Sequence, residues 1–182
     1  MGKGKRFELS LKNNINANTD RAVKAHRPDF SGNSTGEVAD VMVVWENGCM
    51  LGEPTREVAY IELKKRGNVA EGNRTTVLAG SSQDQNGLQE IEELIDESPY
   101  WTTQWVAVKF PHREMAVFNA TELLNSLNGV GEVSLLDERL TPSNNVSMRK
   151  PTLDGWNSSS SGDADYVTVL KEIGVPEDYI NV

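Results

Sequence analysis

GEVADVMVVW (residues 36–45) and AYIELK (residues 59–64) are the two stretches that decide how this chain folds. Both are rich in β-branched and aromatic residues, which favour buried strands. Each nevertheless carries charge: Asp40 in the first, and Glu62 and Lys64 in the second. Burying a charge is costly unless the charge is paired or binds a metal ion. Two carboxylates and a lysine in neighbouring strands therefore indicate a functional site.

Apolar periodicity predicts the elements on either side of these strands. The expected order is helix, three strands, helix, two strands and helix. These elements fall at about residues 4–15, 21–27, 38–45, 57–65, 84–97, 105–110, 115–118 and 119–127. Asn119 or Thr121 is expected to cap the last helix. Such an order indicates an α/β fold in which helices flank a mixed central sheet. Residues 67–82 are polar and predict a mobile loop.

The pattern changes after Gly129, where the apolar periodicity is lost and Pro, Ser and Asn become frequent. We predict a folded domain over residues 1–130 and, over residues 131–182, a linker followed by a flexible acidic C-terminal extension. Within that extension, residues 163–182 predict one small helix and a turn at Pro176.

Charge is distributed unevenly along the 182 residues, whose formal net charge is −9. Residues 1–74 hold 12 Lys and Arg against 10 Asp and Glu, a net of +2, whereas residues 75–182 hold 6 against 17, a net of −11. The acidic total argues against a simple nucleic-acid binder, which is usually basic. The basic residues, however, cluster around the candidate strands, where they favour phosphate binding. An acidic remainder suits a halophilic protein, although ordinary acidic proteins reach the same balance.

Cysteine content and hydropathy limit the cellular setting. Cys49 is the one cysteine, which excludes an intramolecular disulfide and a cysteine-based zinc cluster. The sequence has neither an apolar run long enough to cross a bilayer nor the apolar stretch of a signal peptide. We therefore expect a cytoplasmic protein that does not engage a membrane.

Metal-dependent phosphodiester cleavage explains why charges would occupy these strands. Mg²⁺ prefers oxygen ligands and keeps several waters, so two or three carboxylates are enough to hold it. We expect Asp40 and Glu62 to converge on one ion, with Glu8 of the first helix closing the site from the side. Lys64 is two residues from Glu62 and therefore on the same face of the strand, where it can contact the attacking water or the phosphate. The backbone carbonyl of Leu63 is a further candidate ligand.

This arrangement resembles the PD-(D/E)xK nuclease superfamily, and within it most closely the archaeal Holliday-junction resolvases. The resemblance covers roughly residues 3–124 and depends on motifs in a fixed order. They are Lys3-Gly4 and Glu8 on the first helix, Arg27 before Ser31-Gly32-Asn33-Ser34, Asp40-Val41-Met42-Val43, Ile61-Glu62-Leu63-Lys64 with Lys65-Arg66, and Gln85 at a later helix start. Ala39 stands where the motif usually has proline, and nothing after about residue 130 has a counterpart.

The resemblance implies a restriction-endonuclease-like fold and a Mg²⁺- or Mn²⁺-dependent endodeoxyribonuclease that resolves four-way DNA junctions as a homodimer. It also implies an archaeal or archaeal-virus origin and roles in DNA recombination and repair. The implied catalytic residues are Glu8, Ser31 (with Ser34 as the alternative loop serine), Asp40, Glu62 and Lys64. The implied metal ligands are Glu8, Asp40, Glu62 and the Leu63 carbonyl. The implied DNA-binding residues are Lys3, Lys5, Arg6, Arg27, Lys65, Arg66, Arg74 and Gln85.

Other functions fit the same residues. One is a nuclease of the same superfamily that acts on flap, nicked or duplex DNA, and another is a non-catalytic DNA- or protein-binding module that kept the fold. The C-terminal extension is also a candidate for recruiting a replication or repair protein. The plainest alternative is that Glu62 and Lys64 form a solvated pair on an edge strand.

Overall fold

The computed structural model describes residues 3–27, 39–50, 52–65, 74–78, 87–109, 115–127, 140–141, 146–149 and 165–181. Its elements are, in chain order, α1 (Lys3–Ala17), β1 (Val23–His26), β2 (Val41–Met50), β3 (Glu53–Lys65), β4 (Arg74–Leu78), α2 (Gly87–Glu97), β5 (Thr103–Lys109), β6 (Ala116–Asn119), α3 (Ala120–Leu127), β7 (Leu140–Thr141), β8 (Val146–Arg149), α4 (Asp165–Glu172) and a 3₁₀ helix (Glu177–Tyr179).

The central sheet of the described residues has five strands in the order β1-β2-β3-β5-β6. β1, β2 and β3 are antiparallel neighbours, and so are β5 and β6, whereas β3 and β5 run parallel. A parallel pair needs a crossover connection, and α2 lies in the segment that joins β3 to β5. The predicted α/β fold with a mixed central sheet flanked by helices is confirmed.

Side chains alternate along β3 and so divide the interior into two layers. Ala59, Ile61 and Leu63 pack into a core shared with α1 and α4, whereas Val58 and Tyr60 pack into a core shared with α2 and α3. A strand that is buried on both faces reads as a nearly continuous apolar run, which is the pattern seen in this part of the sequence. By the same alternation, the even-numbered Glu62 and Lys64 belong to the α2 and α3 face.

Two asparagines fix the ends of elements near the sheet. The Asn16 side chain donates to the Ala25 carbonyl and accepts from the Ala25 N–H, both at 2.9 Å, so it pairs with the outer strand β1. At the start of α3, the Glu122 N–H donates to Asn119 Oδ1 at 3.1 Å. Asn119 is therefore the cap, which decides between the two caps that the sequence predicts.

The final helix and turn pack into the main core. Val169 and Leu170 of α4 are fully buried together with Leu11 and Ile15 of α1. The small helix and the turn near Pro176 are as predicted, but residues 165–181 do not form a separate acidic appendage. The many acidic residues of this stretch suggested an exposed appendage. They do not interrupt the apolar face of the helix, however, and that face can still be buried. The predicted division at residue 130 stays a prediction, and residues 150–164 lie outside the described residues.

Hydrogen bonds and an ion pair hold this C-terminal segment in place. Lys109 Nζ at the end of β5 lies 2.6 Å from Asp165 Oδ1 at the start of α4. The Asp20 N–H donates to the Tyr179 carbonyl at 2.9 Å, and the Asn181 N–H donates to the Asn18 carbonyl at 2.9 Å. The segment is thus attached both to the sheet and to the connection between α1 and β1.

A second sheet was not predicted. β4, β8 and β7 form a three-stranded antiparallel sheet in the order β4-β8-β7. The loop prediction for residues 67–82 is therefore wrong for Arg74–Leu78, where the β-branched run Thr75-Thr76-Val77 favours a strand. Likewise, the linker prediction is wrong for Leu140–Thr141 and Val146–Arg149.

Among the described residues, none of the helices is long and apolar enough to cross a bilayer.

Candidate active site

Asp40 lies at the point where the chain enters β2, facing the end of β3. Its N–H donates to the Ile61 carbonyl at 3.1 Å, and the pairing of β2 with β3 begins at the next residue, Val41, opposite Ile61. Asp40 therefore lies beside the part of β3 that continues into Glu62 and Leu63, and the negative charge of Glu62 acts on its carboxyl group. The structure thus brings the two predicted carboxylates near each other, and their convergence on one ion stays a prediction.

The Leu63 N–H fixes the orientation of Asp40. This backbone group donates to Asp40 Oδ2 at 2.7 Å, while the Leu63 side chain is 8% exposed and packs in the layer of α1. We predicted a role for the Leu63 carbonyl but not for the Leu63 N–H. No sequence signal could have revealed this bond, because it depends on the register between β2 and β3. A metal-ligating role for the carbonyl stays a prediction.

Lys64 and Glu62 form a close ion pair on one face of β3. Lys64 Nζ lies 2.8 Å from Glu62 Oε1, and the two side chains are 21% and 24% exposed. The alternative of a solvated pair on an edge strand is wrong, because β3 is the central strand, between β2 and β5. The ammonium group is therefore presented beside both carboxylates in a partly desolvated position.

The charges of four side chains act on one another at this site, which we call the carboxylate–lysine site (Asp40, Glu62, Lys64 and Glu8). Burial and the negative charges of Glu62 and Glu8 together raise the pKa of Asp40 to about 7, against the opposing effects of the Leu63 N–H and the Lys64 ammonium. The charges of Glu62, Glu8 and Lys64 therefore act on one carboxyl group, while their roles in metal binding and catalysis stay predictions. The site carries more negative than positive charge.

Arg27 adds a second cation beside this site. Its Nη2 lies 3.6 Å from Glu8 Oε2, with side chains that are 39% and 15% exposed. Glu8 is carried by α1 and Arg27 directly follows β1, so the pair joins the helix to the sheet near the entry of β2. The structure thus places one predicted DNA-binding residue next to a predicted catalytic one.

The remaining predicted residues are only partly described. Arg6 is exposed on α1, and the backbones of Lys3 and Lys5 lie in the same helix, with Lys65 ending β3 and Arg74 beginning β4. Ser31, Ser34, Arg66 and Gln85 lie outside the described residues. Their roles stay predictions.

Two carboxylates of the carboxylate–lysine site, Asp40 and Glu62, are suitable ligands for a hard divalent cation. Within the described ranges, no three His, Cys, Asp or Glu side chains come together in a group that could hold a metal ion. Mg²⁺, however, is commonly held by one or two carboxylates together with water and substrate phosphate. Asp40 and Glu62 supply such a pair of carboxylates. A direct ligand role for Glu8 stays a prediction.

Fold and site together define an α/β protein with carboxylates and a lysine at the junction of two strands. No protein-family model and no curated protein matches the chain. Among solved structures, it is similar to the 1.6 Å resolution structure of Hjc, a Holliday junction resolvase from the archaeal hyperthermophile Archaeoglobus fulgidus. The two share 18% identity with a TM-score of 0.45, over 85% of this chain and 95% of that chain. At this distance the likeness says nothing about activity, which has to be inferred from the site.

Proposed function

We propose that this protein is a metal-dependent, structure-selective DNA endonuclease that resolves four-way junctions by paired nicks. The observation that carries the proposal is the proximity of Asp40 to Glu62 where β2 meets β3, with the Lys64 ammonium 2.8 Å from Glu62. A purely structural ion pair does not need a second carboxylate facing it. A site for a divalent cation does, because the cation neutralises the neighbouring carboxylates and can then bind a phosphate oxygen.

Asp40 and Glu62 would hold Mg²⁺ or Mn²⁺. The bound ion would supply charge neutralisation at the phosphate and activation of the attacking water. The Leu63 N–H keeps Asp40 in one orientation through the bond to Oδ2, which leaves Oδ1 available to a ligand. Fixing the carboxylate in advance reduces the reorganisation that binding and reaction require.

Lys64 would act on the phosphate or on the attacking water. Its ammonium is held by Glu62 and is 21% exposed, so it is positioned and still reachable by substrate. A fixed positive charge in a partly desolvated site stabilises the negative charge that develops during phosphodiester cleavage. Glu8 would assist from α1, and the loop serine, Ser31 or Ser34, would approach the scissile phosphate.

DNA would be bound through its phosphates. Arg27 is 39% exposed beside Glu8, and the first 74 residues carry a net charge of +2 within a chain whose net charge is −9. Phosphate contacts position a protein on DNA without reading its sequence, so selectivity would depend on the shape of the substrate. Lys3, Lys5, Arg6, Lys65, Arg66, Arg74 and Gln85 complete the proposed DNA-binding set.

The preference for four-way junctions comes from the resemblance of the motifs, which also suggests a homodimer. Two sites related by twofold symmetry match a substrate with two equivalent strands to cut. Cleavage of junctions by symmetric paired nicks would distinguish this activity from that of a nuclease for flap, nicked or duplex DNA.

The test is cleavage of a labelled four-way junction in Mg²⁺ by the parent protein, Asp40→Asn and the control Asp178→Asn. Asp178 is exposed, whereas Asp40 belongs to the site. We expect paired nicks from the parent and the control, and cutting by Asp40→Asn at least about a thousandfold slower. An uncut junction with the parent, or equal cutting by Asp40→Asn, would refute the proposal. If the parent cuts flap, nicked or duplex DNA faster than the four-way junction, that DNA is the preferred substrate in place of the junction.

Calorimetric titration with Mn²⁺ separates an enzyme from a binding module. We expect the parent to bind the ion and Asp40→Asn to bind it far more weakly. If neither protein binds the ion and the junction stays intact, the chain is a non-catalytic module with this fold.

A further inference from the structure

The turn between α2 and β5 exposes two neighbouring aromatic side chains. Tyr100 is 98% exposed and Trp101 is 60% exposed. Large aromatic groups usually bury much of their area, so two adjacent exposed ones suggest a surface that is covered by a partner.

This turn is held rigidly by hydrogen bonds. Ser98 Oγ donates to the Leu94 carbonyl at 2.6 Å, and the Thr102 N–H donates to the Pro99 carbonyl at 3.0 Å. Thr102 Oγ1 donates to the same carbonyl at 2.6 Å. The aromatic pair is therefore presented on a fixed backbone, and binding through it requires little additional ordering.

The helix that leads into this turn ends in carboxylates. Glu92, Asp96 and Glu97 are exposed, and the last turn of α2 carries no basic residue. Acidic groups at a helix C-terminus oppose the helix dipole, and like charges four residues apart, such as Glu92 and Asp96, repel one another. The arrangement lowers the stability of the helix and creates a negative field beside the two rings.

We propose that this acidic–aromatic surface (Glu92, Asp96, Glu97, Tyr100 and Trp101) docks an arginine-rich segment of a partner protein. Guanidinium groups stack on aromatic faces and pair with carboxylates, so one type of side chain satisfies both features. The negative field repels DNA phosphates, which makes a protein partner the better match for this surface.

The surface is remote from the carboxylate–lysine site. β5 begins at Thr103, which pairs with Ala59, whereas Lys64 pairs with Val108 near the other end of β5. Along the strand, Trp101 and Lys64 are thus separated by on the order of 20 Å. A bound partner would leave the proposed active site accessible, so the docking surface does not depend on the proposed function.

The test follows the indole N–H resonances of the full chain by NMR during titration with a short arginine-rich peptide. Trp101→Phe assigns the Trp101 signal. A matched peptide with citrulline at every arginine keeps the shape but removes the charge. We expect the arginine peptide to shift the Trp101 signal, and Trp101→Ala or Asp96→Asn/Glu97→Gln to weaken binding about tenfold or more.

The control variant is Glu53→Gln/Glu172→Gln, which removes the same number of exposed carboxylates elsewhere on the surface. It should bind the peptide nearly as well as the parent does. Equal weakening by the control, equal binding of the citrulline peptide, or no shift of the Trp101 signal would overturn the proposal. A four-way junction that shifts this signal would overturn it as well, because DNA would then be the ligand.

A stability measurement makes the test sharper. Asp96→Asn/Glu97→Gln should raise the melting temperature while it weakens peptide binding, because it removes charges that oppose the helix dipole. Carboxylates that served the fold would give the opposite result, a lower melting temperature, and that outcome would also contradict the proposal.

Discussion

Among the described residues, two partly buried groups of charged side chains differ in how far their positive and negative charges offset each other. At the end of β5, Lys109 and Asp165 form a pair of one cation and one anion at 2.6 Å, with side chains 13% and 7% exposed. At the entry of β2, Asp40 lies near Glu62, and the pKa of Asp40 is raised to about 7 by burial and by the charges of Glu62 and Glu8. The balanced pair attaches α4 to the sheet. The unbalanced cluster lowers stability, which is typical of residues kept for binding and catalysis.

Removing the ammonium group from the carboxylate–lysine site should have the largest effect. Lys64→Met keeps the length of the side chain and deletes its charge, so the charge developing on the phosphate loses a partner. We expect junction cleavage to slow by about a thousandfold, equivalent to about 4 kcal/mol. Single-turnover cleavage assays measure the effect, with Lys24→Met, at an exposed position on β1, as the control. Cleavage within threefold of the parent rate would remove Lys64 from the mechanism.

Breaking the balanced pair should act on stability and leave the chemistry intact. Asp165→Ala leaves the Lys109 ammonium buried without this partner, which costs about 3 kcal/mol. Urea unfolding measures the loss, with the exposed Asp178→Ala as the control. We expect the cleavage rate of the folded variant to match that of the parent. An unchanged stability of Asp165→Ala would contradict a stabilising role for the Lys109–Asp165 pair. Slow cleavage by the folded variant would show that this pair also serves the reaction.

Removing the Asp40 charge from the carboxylate–lysine site should raise stability, which is the opposite of the effect expected at the Lys109–Asp165 pair. Since the folded-state pKa of Asp40 is about 7 and the unfolded value is 3.8, ionising this group in the folded protein reduces stability as pH rises from about 4 to about 7. Asn does not titrate. In EDTA, Asp40→Asn should therefore match the parent below about pH 4 and exceed its stability above about pH 7, by on the order of 2 kcal/mol after allowance for partial exposure.

Denaturant unfolding across this pH range measures the difference for Asp40→Asn, and Asp178→Asn should give a flat profile. Added Mn²⁺ should stabilise the parent selectively, because it binds the folded state through Asp40. A stability difference that does not vary with pH would contradict the charge imbalance at this site.

Arg27 should give the smallest effect. Arg27→Ala removes one proposed phosphate contact, so junction binding should weaken about fivefold, and the slope of log K against log salt concentration should decrease by about 0.9. Fluorescence anisotropy over a series of salt concentrations measures both quantities. The exposed Arg21→Ala serves as the control. An unchanged slope would show that Arg27 serves only its ion pair with Glu8.

The proximity of Glu62 and Lys64 could be predicted because the necessary information is local, while the roles of these residues stay predictions. Charges at Asp40, Glu62 and Lys64 interrupt runs of β-branched residues, and the two-residue period of a strand places Glu62 and Lys64 on one face. Apart from β4, the element order up to α3 follows from the same periodicities. We expected Glu8 to close the site from the side, but its approach to Asp40 depends on how α1 packs on the sheet, which local pattern does not determine.

Long-range pairing explains what the sequence does not predict. The partner of β4 (Arg74–Leu78) is β8 (Val146–Arg149), which lies far away in the sequence. Such a pairing depends on the rest of the fold and not on local pattern. The C-terminal segment was misinterpreted for a related reason. Its acidic residues suggested an appendage, but the burial of Val169 and Leu170 depends on an apolar face of α1 that becomes available only in the folded protein.

The attachment of residues 165–181 to α1 has a consequence for biosynthesis. The first helix, which carries Glu8, completes its packing only with Val169, Leu170 and Ile180, some of the last residues described. At ordinary translation rates, they leave the ribosome on the order of ten seconds after the first helix. During that interval α1 can pack on β1 and β3 but lacks its native contacts with α4. We therefore expect the proposed nuclease activity, in which Glu8 takes part, to arise only after translation has passed this segment.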